Sequence, residues 1–127
     1  MEPELAEMSE ILILLQRIEP DTLRRLVEDG FEDMVKFVAD LGRGRIAIGG
    51  ELHADAEALL LESGSRGSEL WGANYYPGKG SEGCIEYISL INIRPAQENP
   101  GMAIANPAVR EQVRELAHRL IGRGEDL

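Results

Sequence analysis

The sequence predicts a single α+β domain: a mixed or antiparallel sheet of four to five strands with about three helices packed on one face of it. Three observations carry that expectation. Segments of strand type and helix type follow one another in the order β-α-β-β-α-β-β-α, with no internal repeat. No linker is long enough to divide the chain. At 127 residues the chain is the size of one ordinary domain and can bury a core without disulfides or metals as staples. The domain is expected over residues 11–122, with residues 1–10 an N-terminal extension and 123–127 a C-terminal tail.

The first apolar run, Ile11-Leu12-Ile13-Leu14-Leu15, is too short for its periodicity to separate a buried strand from a helix, and strand is the preferred reading. A helix follows over about 20–29. Pro20 suits its first turn, Asp21 complements the helix dipole, Leu23, Leu26 and Val27 recur at helical spacing, and Gly30 stops it. From Met34 to Leu41 the alternation of Val35, Phe37, Ala39 and Leu41 marks a strand, and Gly42-Arg43-Gly44 turns the chain back through Ile46 and Ile48, a β-hairpin ended by Gly49-Gly50. Ala54 through Glu62 contains no β-branched residue and stops at Ser63-Gly64, as a helix does. Leu70–Tyr76 and Cys84–Arg94 read as a second hairpin, the latter apolar enough on both faces to be a central strand. The last helix starts at Asn106-Pro107, carries Val109, Val113, Leu116 and Leu120 on one stripe, and ends at Gly122.

Charge narrows the function. With 13 Lys+Arg against 23 Asp+Glu, the net charge of −10 repels phosphate backbones and anionic lipid, and Arg110, Arg114, Arg119 and Arg123 are interspersed with glutamates. No nucleic-acid or membrane partner is expected. Cys84 is the only cysteine, which fits a reducing cytoplasm and leaves no intrachain disulfide or multi-cysteine metal site. Glutamates 2, 4, 7 and 10 stand where a signal peptide carries lysines, and no run approaches the ~20 apolar residues of a membrane span.

The densest chemistry lies in Gly49-Gly50-Glu51-Leu52-His53-Ala54-Asp55-Ala56-Glu57, at a strand-to-helix junction. A helix starting near Leu52 turns Leu52, Ala56, Leu59 and Leu60 to the core, puts His53 and Glu57 on one flank, and sends Asp55 and Glu62 to the other. His53 and Glu57, joined by Glu51, are thus the candidate ligands for a possible divalent metal, which would need one more from elsewhere, such as Asn92 or Glu86. Acids in a first turn and a His–Glu pair at i,i+4 are also ordinary helix-surface features. Gly49-Gly50 would let a ligand or another backbone approach the junction. Asn92 and Arg94 share a strand face, where Arg94 can clamp a ligand carboxylate or pair internally with Glu51, Asp55 or Glu57. Trp71, Asn74, Tyr75 and Tyr76 form an aromatic and amide cluster suited to core, interface or binding site. The chain lacks a phosphate-binding P-loop, a dinucleotide fingerprint and a Gly-x-Ser-x-Gly elbow. His118 falls opposite the apolar stripe of its helix and is expected in solvent; Cys84 reads as a small core residue, and a Cys84–His53 pair stays open.

The segments Ile48 to Glu62 (IGGELHADAEALLLE), Leu70-Trp71-Gly72, Tyr76-Pro77 and Leu90-Ile91-Asn92-Ile93-Arg94-Pro95 resemble a family of small prokaryotic proteins of unknown function, over roughly residues 11–121. The resemblance implies no activity, cofactor or partner. It favours strand for residues 11–18 and marks Met1–Glu10 as a local extension, and Tyr75 departs from the aliphatic residue it leads one to expect.

Two functional readings follow. In the favoured one the chain is a non-enzymatic, self-associating domain whose Glu51, His53, Glu57 and Arg94 form a structural network. In the other, Glu51, His53, Glu57, Trp71, Asn74, Asn92 and Arg94 line a site for a divalent metal or a small polar ligand, which could support hydrolysis with His53 or a glutamate as base.

Overall fold

In the computed structural model, which describes residues 10–127, five strands form one antiparallel sheet in the order β1-β3-β2-β4-β5. The expected extension lies outside the described residues apart from Glu10. The strands are β1 (Ile11–Leu14), β2 (Val35–Asp40), β3 (Arg45–Gly49), β4 (Leu70–Tyr75) and β5 (Ile85–Glu86). The helices are α1 (Pro20–Asp29), α2 (His53–Glu62), the single turn α3 (Gly80–Gly83) and α4 (Pro107–Leu120). Residues 11–14 are therefore strand, and the 35–49 hairpin is formed as its alternation predicts.

Helices cover both faces of the sheet, not one. Odd positions of β2, with Phe37 and Ala39 opposite Ile48 and Ile46, point to the main core, where Leu23, Leu26 and Val27 of α1 meet Val113, Leu116, Ala117 and Leu120 of α4. Even positions point the other way: Val38 and its partner Ala47 pack with Leu70 against Ala56 and Leu60 of α2. A strand buried on both sides needs apolar residues at both parities, and Val35–Ala39 and Ile46–Ile48 supply them. α4 begins as its sequence predicts, with Asn106 Oδ1 accepting from the Ala108 amide and Pro107 in the first turn.

The expected long central strand over 84–94 is absent. β5 holds only two residues, at the sheet edge, paired to Asn74 and Tyr75. Beyond it Ser89 Oγ accepts from the Ile91 amide and starts a 3-10 turn over Leu90–Asn92, and a second turn spans Pro95–Gln97. The apolar Ile88, Leu90 and Ile93 are left partly in solvent, with Leu90 72% exposed. Asn92 takes the place of a strand: its side-chain amide accepts from Gly72 N (2.9 Å) and donates to Gly72 O and Met102 O (3.0 Å each). Asn99, also buried, donates to Asn92 O and accepts from Ala105 N, closing the 88–105 loop on itself. Gly72 permits the close approach, since a Cβ there would fall 2.7 Å from Ser89 Cβ.

The hairpin turn hides a charged knot. Asp40, 0% exposed, accepts at Oδ1 from the amides of Gly42 and Arg43 (3.0 Å each), while Oδ2 accepts from Ser65 Oγ and faces Arg45 Nε at 3.4 Å. Arg45 in turn donates to Ser63 O and Ser65 Oγ, which ties the C-terminus of α2 to the hairpin. The C-terminal tail is held too: Gly124 N donates to the buried Tyr75 hydroxyl (2.8 Å), and burial raises that phenol to about 12.

Candidate functional site

A cavity of about 330 Å³ opens between the start of α2, the even face of β2 and β4, and the Ile88–Ile91 segment. Its polar lining is Lys36, His53, Asn74 and Ser89, and its apolar lining includes Leu52, Ile88 and Leu90. Register explains the grouping. Lys36 and Asn74 are direct cross-strand partners on one face, and Asn74 is also paired to Glu86 on its other side.

α2 begins at His53, one position later than the pattern of leucines suggests, and its buried face is His53, Ala56 and Leu60. Leu52, expected in the core, is 58% exposed at the cavity rim. His53 therefore moves from the flank to the buried side, where Nε2 lies 2.8 Å from the Ala73 carbonyl oxygen. A carbonyl only accepts, so Nε2 carries the proton and the neutral ring keeps Nδ1 as an acceptor. Burial holds the imidazole below the ordinary histidine range; the Ala73 carbonyl and, least of the causes, the Asn74 side chain oppose the shift, and the Lys36 ammonium adds to it. The positive end of the α2 dipole acts in the same sense.

Asn74 completes the floor. Its Nδ2 donates to Glu86 Oε1 (2.9 Å), which also accepts from the Tyr76 hydroxyl (3.0 Å). That fixes the amide with Oδ1 turned the other way, buried and without a hydrogen-bond partner among the described residues.

The other candidates fall into separate places. Arg94 stacks on Trp71, 4.8 Å from its ring centre, lies 3.6 Å from Glu57 Oε2, and donates from Nε to Ile91 O (3.1 Å). The expected internal pairing of Arg94 thus forms with Glu57. The two terminal guanidinium nitrogens of Arg94 are buried without a close hydrogen bond. Burial lowers the pKa of Arg94 from the usual arginine value, against the pull of Glu57. Through Ile91 this stack braces the cavity wall without lining the cavity. Asn92 is a structural pin, and Glu51 is exposed outside both groups.

Glu51, His53 and Glu57 do not come together as metal ligands: among the described residues no three His, Cys, Asp or Glu side chains are grouped to hold an ion. The Gly49-Gly50 pair serves the chain itself, since a Cβ on Gly49, at φ 111°, would strike the Glu10 carbonyl beside β1. Cys84 is a core residue as expected, but its histidine neighbour is His118, with Nε2 3.9 Å from Sγ. His118 is only 8% exposed, not solvated, because Ser81–Cys84 folds over that side of α4. Lys36 and Ser89 were not singled out by sequence. The one available signal for Lys36 was its position two residues before Val38, on the second face of a strand whose run from Val35 to Ala39 is otherwise apolar.

The depressed pKa of His53 fixes the sign of a pH effect. The unfolded chain takes up a proton near pH 6.5 that the folded site resists, so the stability from this group is complete above that value. It is lost as pH falls through the window below, by at most about 1.4 kcal/mol per pH unit. His118 titrates in the same sense, with burial the leading cause. We expect the wild-type melting temperature to fall below about pH 6.5, and His53→Gln to flatten part of that fall. An unchanged slope in the variant would contradict the assignment.

Comparison with known proteins gives one match. No curated protein matches the chain, and no solved structure does. The domain built from β1 through α4 coincides with the span of a single family model, residues 12–120, so the chain belongs to the family described as Protein of unknown function (DUF5674).

Proposed function

We propose that the chain is a binding module for a small polar molecule that carries N–H donors, taken up in the cavity over Asn74 and His53. One observation carries the reading: Asn74, a residue of the cavity lining, has its Oδ1 buried with no hydrogen-bond partner among the described residues. An unmet buried acceptor costs about 1–3 kcal/mol, which a donor arriving in the cavity would recover. Neutral His53 supplies a second acceptor at Nδ1, Lys36 a cation for a carboxylate or carbonyl, and Ser89 a free hydroxyl proton. Leu52, Ile88 and Leu90 offer apolar contact to the rest of the molecule. α-Amino acids and their amides are small compounds that unite an N–H donor, an acceptor and an apolar body.

The test is an amide-resolved NMR titration with leucine, valine, glutamine and their amides. Saturable shifts are expected at Ala73, Asn74 and Ser89–Ile91, and are expected to vanish in Asn74→Leu, which fills the floor and removes the acceptor. Shifts that survive in Asn74→Leu, or a panel that leaves these amides unmoved, would sink the reading.

A further inference from the structure

The arginines that the sequence intersperses with glutamates converge in space. Arg114 and Arg119 from α4, Arg123 beyond its end and Arg17 from the β1–α1 connection line one cavity of about 550 Å³. It lies by α4 and α3, apart from the cavity over Asn74, and the two share no lining residue. Ser81 of α3 and His118 complete the wall with a single acid, Glu115. Four of the chain's 13 basic side chains thus meet in one place, in a protein of net charge −10.

Overall charge does not decide what enters such a cavity. At physiological ionic strength the screening length is about 8 Å, so remote carboxylates act weakly while the lining acts at full strength. Two of the nearby acids are already engaged, leaving Glu115 as the acid of the wall: Glu111 grips Arg114 through both oxygens at 3.0–3.2 Å, and Glu125 sits 3.7 Å from Arg17. Arg119 and Arg123 make no ion pair among the described residues. His118 feels the resulting field. Burial first, then Arg114 and Arg123, disfavour its protonated form, while Ser81 and Glu111 oppose the shift. Basic residues near a helix C-terminus serve the helix dipole, but Arg17, Arg123 and Ser81 reach this cavity from outside the helix.

We infer that this cavity binds a small phosphate-bearing anion through Arg119 and Arg123, with Arg17, Arg114 and the Ser81 hydroxyl in support. Guanidinium forks donate two parallel bonds to phosphate, and several forks around one volume match an oxyanion with donors needed on more than one side. The volume falls in the range of small-molecule sites and leaves room for a second phosphate or a ribose-sized group.

The experiment titrates the full chain with pyrophosphate, inorganic phosphate and adenosine monophosphate. Sodium chloride at matched ionic strength is the reference, and melting temperature and amide NMR are the readouts. Pyrophosphate is expected to raise the melting temperature above the chloride reference and to move amides at Ser81 and 114–123. The titration of the His118 ring should shift to higher pH. Arg119→Gln with Arg123→Gln, which breaks no ion pair among the described residues, is expected to fold and to weaken binding about tenfold or more, a change of about 1.4 kcal/mol. Three results would each overturn the inference: no response beyond chloride, an equal response in the double variant, or shifts centred on Lys36 and Asn74.

Discussion

Asp40→Ala is expected to lower the free energy of unfolding by about 3–5 kcal/mol, the cost of removing one partner from a buried ion pair. For a domain of this size that corresponds to a fall in melting temperature of roughly 10–20 °C. The loss has several parts. Arg45, only 12% exposed in its side chain, would keep its charge and lose its carboxylate, and the Gly42 and Arg43 amides would lose their common acceptor. Ser65 would lose its acceptor, leaving the C-terminus of α2 tied to this part of the hairpin through Arg45. Asp40→Asn separates these effects. It retains an acceptor for the turn amides but not the charge facing Arg45, so a smaller loss is expected. Chemical denaturation of the two variants beside wild type measures both, and a cost below about 1 kcal/mol for alanine would show the knot to be no more than a surface pair.

Asn92→Leu is expected to cost about 3 kcal/mol or more and to loosen a defined segment. Leucine has nearly the same bulk but leaves Gly72 N, Gly72 O and Met102 O without their partner, each at about 1–3 kcal/mol unless water reaches it. The readout is local as well as global. Hydrogen exchange should accelerate over 88–105, where Asn99 and Asn92 close the loop, more than over α1 or β3. The same variant should weaken ligand uptake over Asn74, because Ile88–Ile91 forms that cavity's wall. Uniform acceleration across the whole domain would contradict the local role.

Where side chains pack by period, the sequence is transparent. α1 and α4 follow their leucine and valine spacing and their prolines, and the 35–49 hairpin follows its alternation and its Gly42-Arg43-Gly44 turn. The sequence misleads where polar side chains do the work of backbone. Cys84–Arg94 alternates like a strand, but Ser89 and Asn92 supply bonds that a ladder would have made, and nothing in the spacing of Ile88, Leu90 and Ile93 reveals it. His53 was legible as a residue and illegible as a position: Leu52 stays extended outside the helix, so the buried face centres on Ala56 and Leu60, and His53 lies about 20° from Leu60 on that face. That Arg94 would pair with Glu51, Asp55 or Glu57 followed from the need of a largely buried guanidinium for a carboxylate, and the fold selects Glu57. Asp40 gave no warning, since an aspartate before a glycine turn reads as surface punctuation. The meeting of Arg17 with Arg114, Arg119 and Arg123 depends on a fold that brings residues about a hundred positions apart to one wall.

The Asn92 amide on Gly72 also bears on how the protein behaves in a crowded solution. Beyond the two residues of β5, the outer edge of β4 would present unpaired amides and carbonyls, an invitation to strand addition by a second chain. Asn92 occupies that edge as a short strand would, so an intruding strand must first expel the loop. Opening the loop therefore removes the wall of one cavity and uncovers an aggregation-prone edge in the same event. The same two side-chain bonds between Asn92 and Gly72 thus guard solubility as well as shape.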